Sequence, residues 1–248
     1  MPASVTAALL VIGDEILSGR TKDKNIGFIA EYLTEIGIDL REVRVVPDVE
    51  DEIVAALNAL RGRYSYVFTT GGIGPTHDDI TADAVAKAFG VGIDIDERAR
   101  AMMLERYAPQ DLNEARLRMA RIPHGADLVE NPISKAPGFR LGNVIVMAGV
   151  PAIMQAMLDN VAPTLSTGAK MIVETLSAED LPEGIYAAGL AEIAKAHAGV
   201  SIGSYPSFST AGFRNQIVVR GKDPAAVAAA AASVRDLIAR LQSDRAPL

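Results

Sequence analysis

Cysteine is absent from the 248 residues, which excludes disulfides, thiolate metal sites and cysteine nucleophiles. Histidine is scarce. The three residues, at 77, 124 and 197, lack the spacing of a metal-ligand set. No long basic run occurs and the net charge is −7, which argues against a non-specific nucleic-acid or anionic-membrane surface. No apolar run reaches membrane-spanning length. The amino terminus has no cationic n-region, and the apolar stretch at residues 7–12 is too short for a signal-peptide core. Together these absences predict a cytoplasmic protein with neither nucleic-acid nor membrane partners.

What is present is ordinary globular composition, 49% hydrophobic and 22% charged, enough for a sizeable core in one large domain or two. Residues 6–12 form an apolar strand candidate. Residues 25–37 read as a helix, with Ile26, Ile29, Leu33 and Ile36 on one face and Gly37 as its stop. Residues 38–46 read as a strand, 50–60 as a helix, 66–70 as a strand and 82–89 as a helix. The βαβαβα order predicts a mostly parallel sheet with helices on both faces. In such sheets ligands bind beyond the carboxyl ends of the strands. The loops at 13–25, 47–50 and 71–81 are therefore expected at one rim. Residues 96–121 read as uneven helix broken by Pro109. Short strands follow near 128–129 and at 144–147, then a helix from Pro151. The pattern changes at 163–168. Beyond it a strand, a helix, two strands and a helix with Asp223 as N-cap predict a smaller α+β domain. The expected domains are 1–168 and 169–248.

The most informative stretch is Thr70-Gly71-Gly72-Ile73-Gly74-Pro75-Thr76-His77-Asp78-Asp79-Ile80-Thr81. It joins a buried strand to a helix. Glycine permits a sharp turn and close approach of its N–H groups to a ligand. The helix start adds free N–H groups and a positive dipole end, a setting that attracts phosphate. The alternative is a plain glycine turn with Thr81 as the helix N-cap and Asp83 in its first turn. The segment lacks the lysine of a P-loop and the third glycine of a dinucleotide fingerprint. Asp78 and Asp79 beside an anion site suggest a bridging metal or catalysis. Asn25 reads as a helix cap.

Further motifs occur in order: Gly13-Asp14-Glu15-Ile16-Leu17-Ser18-Gly19, Pro47-Asp48, Asn131-Pro132-Ile133-Ser134-Lys135-Ala136-Pro137-Gly138-Phe139, and Gly149-Val150-Pro151. With the glycine segment, they resemble the molybdopterin-binding domain in the form found at the amino terminus of the CinA (competence-damage-inducible protein A) family. The same domain sits in molybdenum-cofactor biosynthesis proteins and ahead of FAD synthases. The resemblance covers residues 5–165, and Ser204-Tyr205-Pro206 resembles the second domain of the CinA and FAD-synthase branch. It leaves no room in these 248 residues for the deamidase domain of full-length CinA proteins.

The resemblance implies a small phosphate-bearing ligand, a nucleotide or molybdopterin. It implies metal-dependent hydrolysis of an ADP-ribose- or FAD-like dinucleotide, with Mg, Mn or Co as the metal. Adenylylation of molybdopterin, or binding without turnover, are the alternative activities. It implies a homo-oligomer, dimer or trimer. Asp79, Asp78 and Asp48 are the expected catalytic residues. Gly71, Gly72, Gly74, Thr76, Thr81, Ser134, Gly149 and Pro151 are the expected ligand contacts. Asp78, Asp79 and Asp14 are the expected metal ligands. Two positions depart from the family pattern: Ala148 replaces a proline and Ile153 a glutamate. The lost glutamate makes binding a firmer expectation than turnover.

Overall fold

The computed structural model of the chain describes residues 4–209 and 212–244. The chain divides into two compact units, Met1–Gly168 and Ala169–Leu248. In the first unit the order is β1 (Thr6–Ile12), α1 (Asp14–Leu17), α2 (Asn25–Glu35), β2 (Asp39–Val46), α3 (Glu50–Arg61), β3 (Tyr66–Thr70), α4 (Thr81–Phe89), β4 (Ile93–Ile95), α5 (Glu97–Leu104), α6 (Glu114–Leu117), β5 (Arg121–Pro123), β6 (Asp127–Val129), β7 (Gly138–Leu141), β8 (Val144–Met147) and α7 (Pro151–Val161). The main sheet runs β2-β1-β3-β8-β7-β6. Its first four strands are parallel. β7 and β6 continue it antiparallel.

Period-two alternation sends β1 residues to both faces of the sheet. Ala8, Leu10 and Ile12 join Ile53, Leu57 and Val85 in one core. Ala7, Leu9 and Val11 join Ile29, Leu33, Met154 and Leu158 in the other. The strand is therefore buried on both faces and reads as a continuous apolar run. This layering is the expected one: a mostly parallel sheet with helices on both sides.

Two capping expectations require correction. The N-cap of α4 is Ile80, not Thr81. The Thr81 hydroxyl instead donates to the Gly71 carbonyl at 3.0 Å. Asn25 does not cap α2. The Asp23 carboxylate does so, accepting from the N–H groups of Asn25 and Ile26 at 3.0 and 2.7 Å. Both residues serve the loop rim described below.

The second unit comprises β9 (Ile172–Glu179), α8 (Glu183–Ala196), β10 (Val200–Tyr205), β11 (Phe208–Ser209), β12 (Gly212–Gly221) and α9 (Pro224–Ser243). β12 pairs antiparallel with β9, β10 and β11. Tyr186 and Leu190 of α8, and Val227, Val234 and Leu237 of α9, form its core with Ile217 and Val219. Asp223 caps α9 through the N–H groups of Ala225 and Ala226. Among the described residues, no helix is long and apolar enough to cross a membrane.

Candidate ligand site at the carboxyl rim

The rim is built from backbone contacts between loops. Gly13 N–H donates to the Val46 carbonyl at 3.2 Å, and Asp14 N–H donates to the Asp48 carboxylate at 2.9 Å. Gly71 N–H donates to the Met147 carbonyl at 3.3 Å. A Cβ on Gly71 would overlap the Ile12 carbonyl oxygen, and its φ of +102° also favours glycine. A Cβ on Gly149 would stand 3.3 Å from the Gly71 Cα. Asn25, buried, donates its amide N–H to the Gly149 carbonyl at 2.8 Å. The glycines thus let four strand ends meet without side chains between them.

The glycine turn is strapped to α4 by one residue. Thr81 donates its N–H to the Gly72 carbonyl at 3.0 Å and its hydroxyl to Gly71. Both carbonyls are turned towards the helix. Gly71 N–H is spent on the sheet. The N–H groups of Gly72, Ile73 and Gly74 have no acceptor among the described residues. These three amides, with the start of a nine-residue helix behind them, make a concavity of the kind that suits an anion.

The next four residues close on themselves. Asp79 accepts from Thr76 N–H at 2.8 Å and from the Thr76 hydroxyl at 2.5 Å. Asp79 N–H returns to the Thr76 carbonyl at 3.2 Å. The Thr76 hydroxyl and Asp78's own backbone N–H hold the Asp78 carboxyl below the usual carboxylate range. The hydroxyl has a single proton and serves one carboxylate at a time. His77 is almost wholly exposed, with Nδ1 4.0 Å from Asp78.

The turn faces a groove of 630 Å³. Gly71, Gly72, Gly74, Ser134, Gly149 and Pro151 line it, as does Asp79. Asp78, Asp48, Asp14, Thr76 and Thr81 are not part of its lining. The second carboxylate at the groove is Glu15. Among the described residues, no three Asp, Glu or His side chains gather as a metal cage.

Ser134 is held in place by buried Asn131. The Asn131 Oδ1 accepts from Ile133 and Ser134 N–H at 3.1 Å each. Its amide N–H groups donate to the Ser134 hydroxyl oxygen and to the Ala136 carbonyl. The Ser134 oxygen also accepts from Ala136 N–H at 3.4 Å. Its own proton is therefore left to donate into the groove. Lys135, in a left-handed backbone conformation, is engaged by Glu105 at 2.6 Å.

Sequence reasoning missed the lining residues Tyr107, Arg116 and Met119. They lie in the irregular 96–121 stretch, where no periodicity singles them out. Arg116 sits over the Tyr107 ring, its Cζ 4.7 Å from the centroid. Ile153 also lines the groove, placing an apolar side chain where the family pattern has a glutamate.

Asp48 is half-buried. Burial pushes its carboxyl above the ordinary 3.8, against the lowering effect of Asp14 N–H, and the Asp14, Glu15 and Asp78 charges push it further. An acid whose pKa is raised by folding costs stability above its folded pKa and costs nothing below its unfolded one. Asp48→Asn keeps an acceptor for Asp14 N–H. It is expected to raise the melting temperature at pH 7, the gain shrinking as pH falls towards 3.8. Melting curves of both proteins across that range check the sign. A lower melting temperature for the variant at pH 7 would refute it.

Comparison with known proteins follows the two units. The family profile described as probable molybdopterin binding domain matches residues 8–167, and the FAD synthase middle domain matches residues 170–244. A protein of Pyrobaculum calidifontis is 35% identical over 211 residues, covering 81% of this chain and 80% of its own. A probable FAD synthase of Caenorhabditis elegans is 31% identical over 266 residues, covering 96% of this chain and 51% of its own. The chain therefore spans about half the length of that relative. A solved structure, the CinA protein of unknown function from Thermoplasma acidophilum, is 38% identical with a TM-score of 0.62. It matches 65% of this chain and 99% of its own.

Proposed function

This chain belongs to the molybdopterin-binding domain family in its CinA-like form, and we propose that its rim groove binds the phosphate of a nucleotide or pterin and hydrolyses a pyrophosphate bond in an ADP-ribose- or FAD-like dinucleotide. One observation carries the reading. The three unpartnered N–H groups of residues 72–74 face a groove large enough for such a ligand, ahead of the α4 N-terminus. Ser134 adds a hydroxyl donor. Asp79 and Glu15 bring negative charge to the same groove, which opposes a bare phosphate unless it does chemical work.

A divalent ion fits this donor set. Small hard cations are commonly held by one or two carboxylates together with substrate phosphates, not by an all-protein cage. Asp79 and Glu15 would supply those oxygens, and the ion would supply neutralisation of phosphoryl charge. Asp79 also closes the 76–79 loop, so it is held in one position by two Thr76 bonds. Fixed groups lose little freedom when a ligand arrives.

Ile153 favours a second reading, a binding module for molybdopterin or a nucleotide without turnover. The two are separated by thermal shift and turnover together. ADP-ribose, FAD and molybdopterin are each added with and without Mg²⁺, Mn²⁺ or Co²⁺. A ligand at a hundredfold its Kd is expected to add about 2.7 kcal/mol to stability. Hydrolysis of ADP-ribose or FAD in the same samples supports the enzyme. Thermal shifts without product support the module. No shift with any ligand would refute both.

A further inference from the structure

The groove holds one cation whose role is not accounted for. The guanidinium of Arg116 is held at two points: it lies over the Tyr107 ring, and its Nη1 donates to the Asp111 carbonyl at 2.5 Å; the backbone N–H of the same residue donates to the Asn113 side chain at 3.0 Å. No carboxylate pairs with it among the described residues. Of the neighbouring cations, Lys135 is engaged by Glu105, Arg121 by Asp83 and Arg106 by the Ile133 carbonyl, while Arg118, whose Nε is buried without a hydrogen-bond partner among the described residues, lies outside the lining of this groove. A guanidinium stacked and preorganised in this way keeps the rest of its donor fork for planar or bidentate recognition of an anion.

We propose that Arg116 binds a second phosphate of the ligand, in the groove that the amides of residues 72–74 also line, so that the groove selects diphosphates over monophosphates. The proposal rests on the phosphate reading above and adds the residue that selects for the second phosphate. Three amides and a helix start suit one phosphate. A second phosphate adds charge beside Asp79 and Glu15, which line the same groove. It needs a cation there, and Arg116 is the Lys or Arg side chain in the described lining. The Tyr107 face holds the guanidinium flat and limits the rotamer freedom lost on binding.

ADP and AMP share a nucleoside and differ by one phosphate, so their ratio of affinities reads the second contact. Both are titrated calorimetrically, without metal, into the unmutated chain, Arg116→Gln and Arg116→Lys. The unmutated chain is expected to prefer ADP at least tenfold, about 1.4 kcal/mol. Arg116→Gln should bring the ratio close to one, with AMP affinity within twofold of its starting value. Arg116→Lys keeps the charge but loses the fork and the stack, and should fall between. Melting temperatures confirm that each variant is folded. If Arg116→Gln should unfold, the lysine variant carries the test alone, and an unaltered ratio in it would overturn the proposal. An unaltered ratio in folded Arg116→Gln, equal loss of ADP and AMP, or equal binding of both by the unmutated chain would also overturn it while leaving the glycine-turn site standing. Binding of neither nucleotide by the unmutated chain without metal would overturn this proposal, and binding of neither with Mg²⁺ as well would refute the glycine-turn site.

Discussion

Asp79→Asn is expected to lower turnover of ADP-ribose at least a hundredfold, about 2.7 kcal/mol of lost transition-state stabilisation, while the protein stays folded and still binds nucleotide. The structure makes this substitution more discriminating than the sequence alone would. The Asp79 carboxylate has a structural duty, accepting from Thr76 N–H and its hydroxyl. An asparagine oxygen can accept both bonds, so the loop keeps its closure and only the charge is lost. Asp79→Ala removes charge and closure together, and should also lower the melting temperature. Without metal, nucleotide affinity in Asp79→Asn should hold or rise, because a negative charge has left the groove wall. Steady-state hydrolysis with Mg²⁺ and calorimetry without metal, on the same preparation, are the two measurements. Full activity in Asp79→Asn would reduce Asp79 to a loop clamp. Absence of hydrolysis in the unmutated chain, across metals and dinucleotides, would favour the binding module and point to Ile153.

The strands that place this site were legible for a physical reason. β1 and β3 are buried on both faces, so apolar runs mark them, residues 7–12 in β1 and 66–68 in β3. The glycine turn was legible because the Gly71 and Gly72 conformations, with φ of +102° and +66°, admit little else. The β6–β7 edge was not fully legible. Gly138 opens β7 inside Ala136-Pro137-Gly138-Phe139, which reads as a loop. Its place in the sheet depends on the Val146 carbonyl, which a Cβ there would overlap. Local chemistry misassigned Asn25 and Thr81 as helix caps because such residues usually serve their own helix. Their real partners, Gly149 and Gly71, are 124 and 10 residues away. Arg116 and Tyr107 carry no local signal, since a groove wall made from irregular backbone has no period to detect.

Gly72 provides the sharpest test of the turn itself, through folding as well as binding. Its φ is +66°, and a Cβ there would overlap the Thr81 hydroxyl and stand 3.2 Å from the Thr81 Cβ. A β-branched side chain is a steric outlier in that region of the backbone map. Gly72→Val should therefore cost about 3 kcal/mol or more in urea unfolding. In whatever fraction remains folded, phosphate affinity should fall more than tenfold, because the side chain stands beside the free amides. Gly72→Ala separates the causes. Thr81→Ala alone loses the hydroxyl bond to Gly71, worth about 1 kcal/mol. In the double variant the atom that clashes is gone, leaving an alanine Cβ against the 3.2 Å Thr81 Cβ contact. The combined cost should be smaller than the sum of the two single costs, a coupling expected only between groups in direct contact. Strict additivity would mean that Gly72 and Thr81 do not touch. The strap that turns the Gly71 and Gly72 carbonyls towards α4, and leaves the next amides free for an anion, would then have to be discarded.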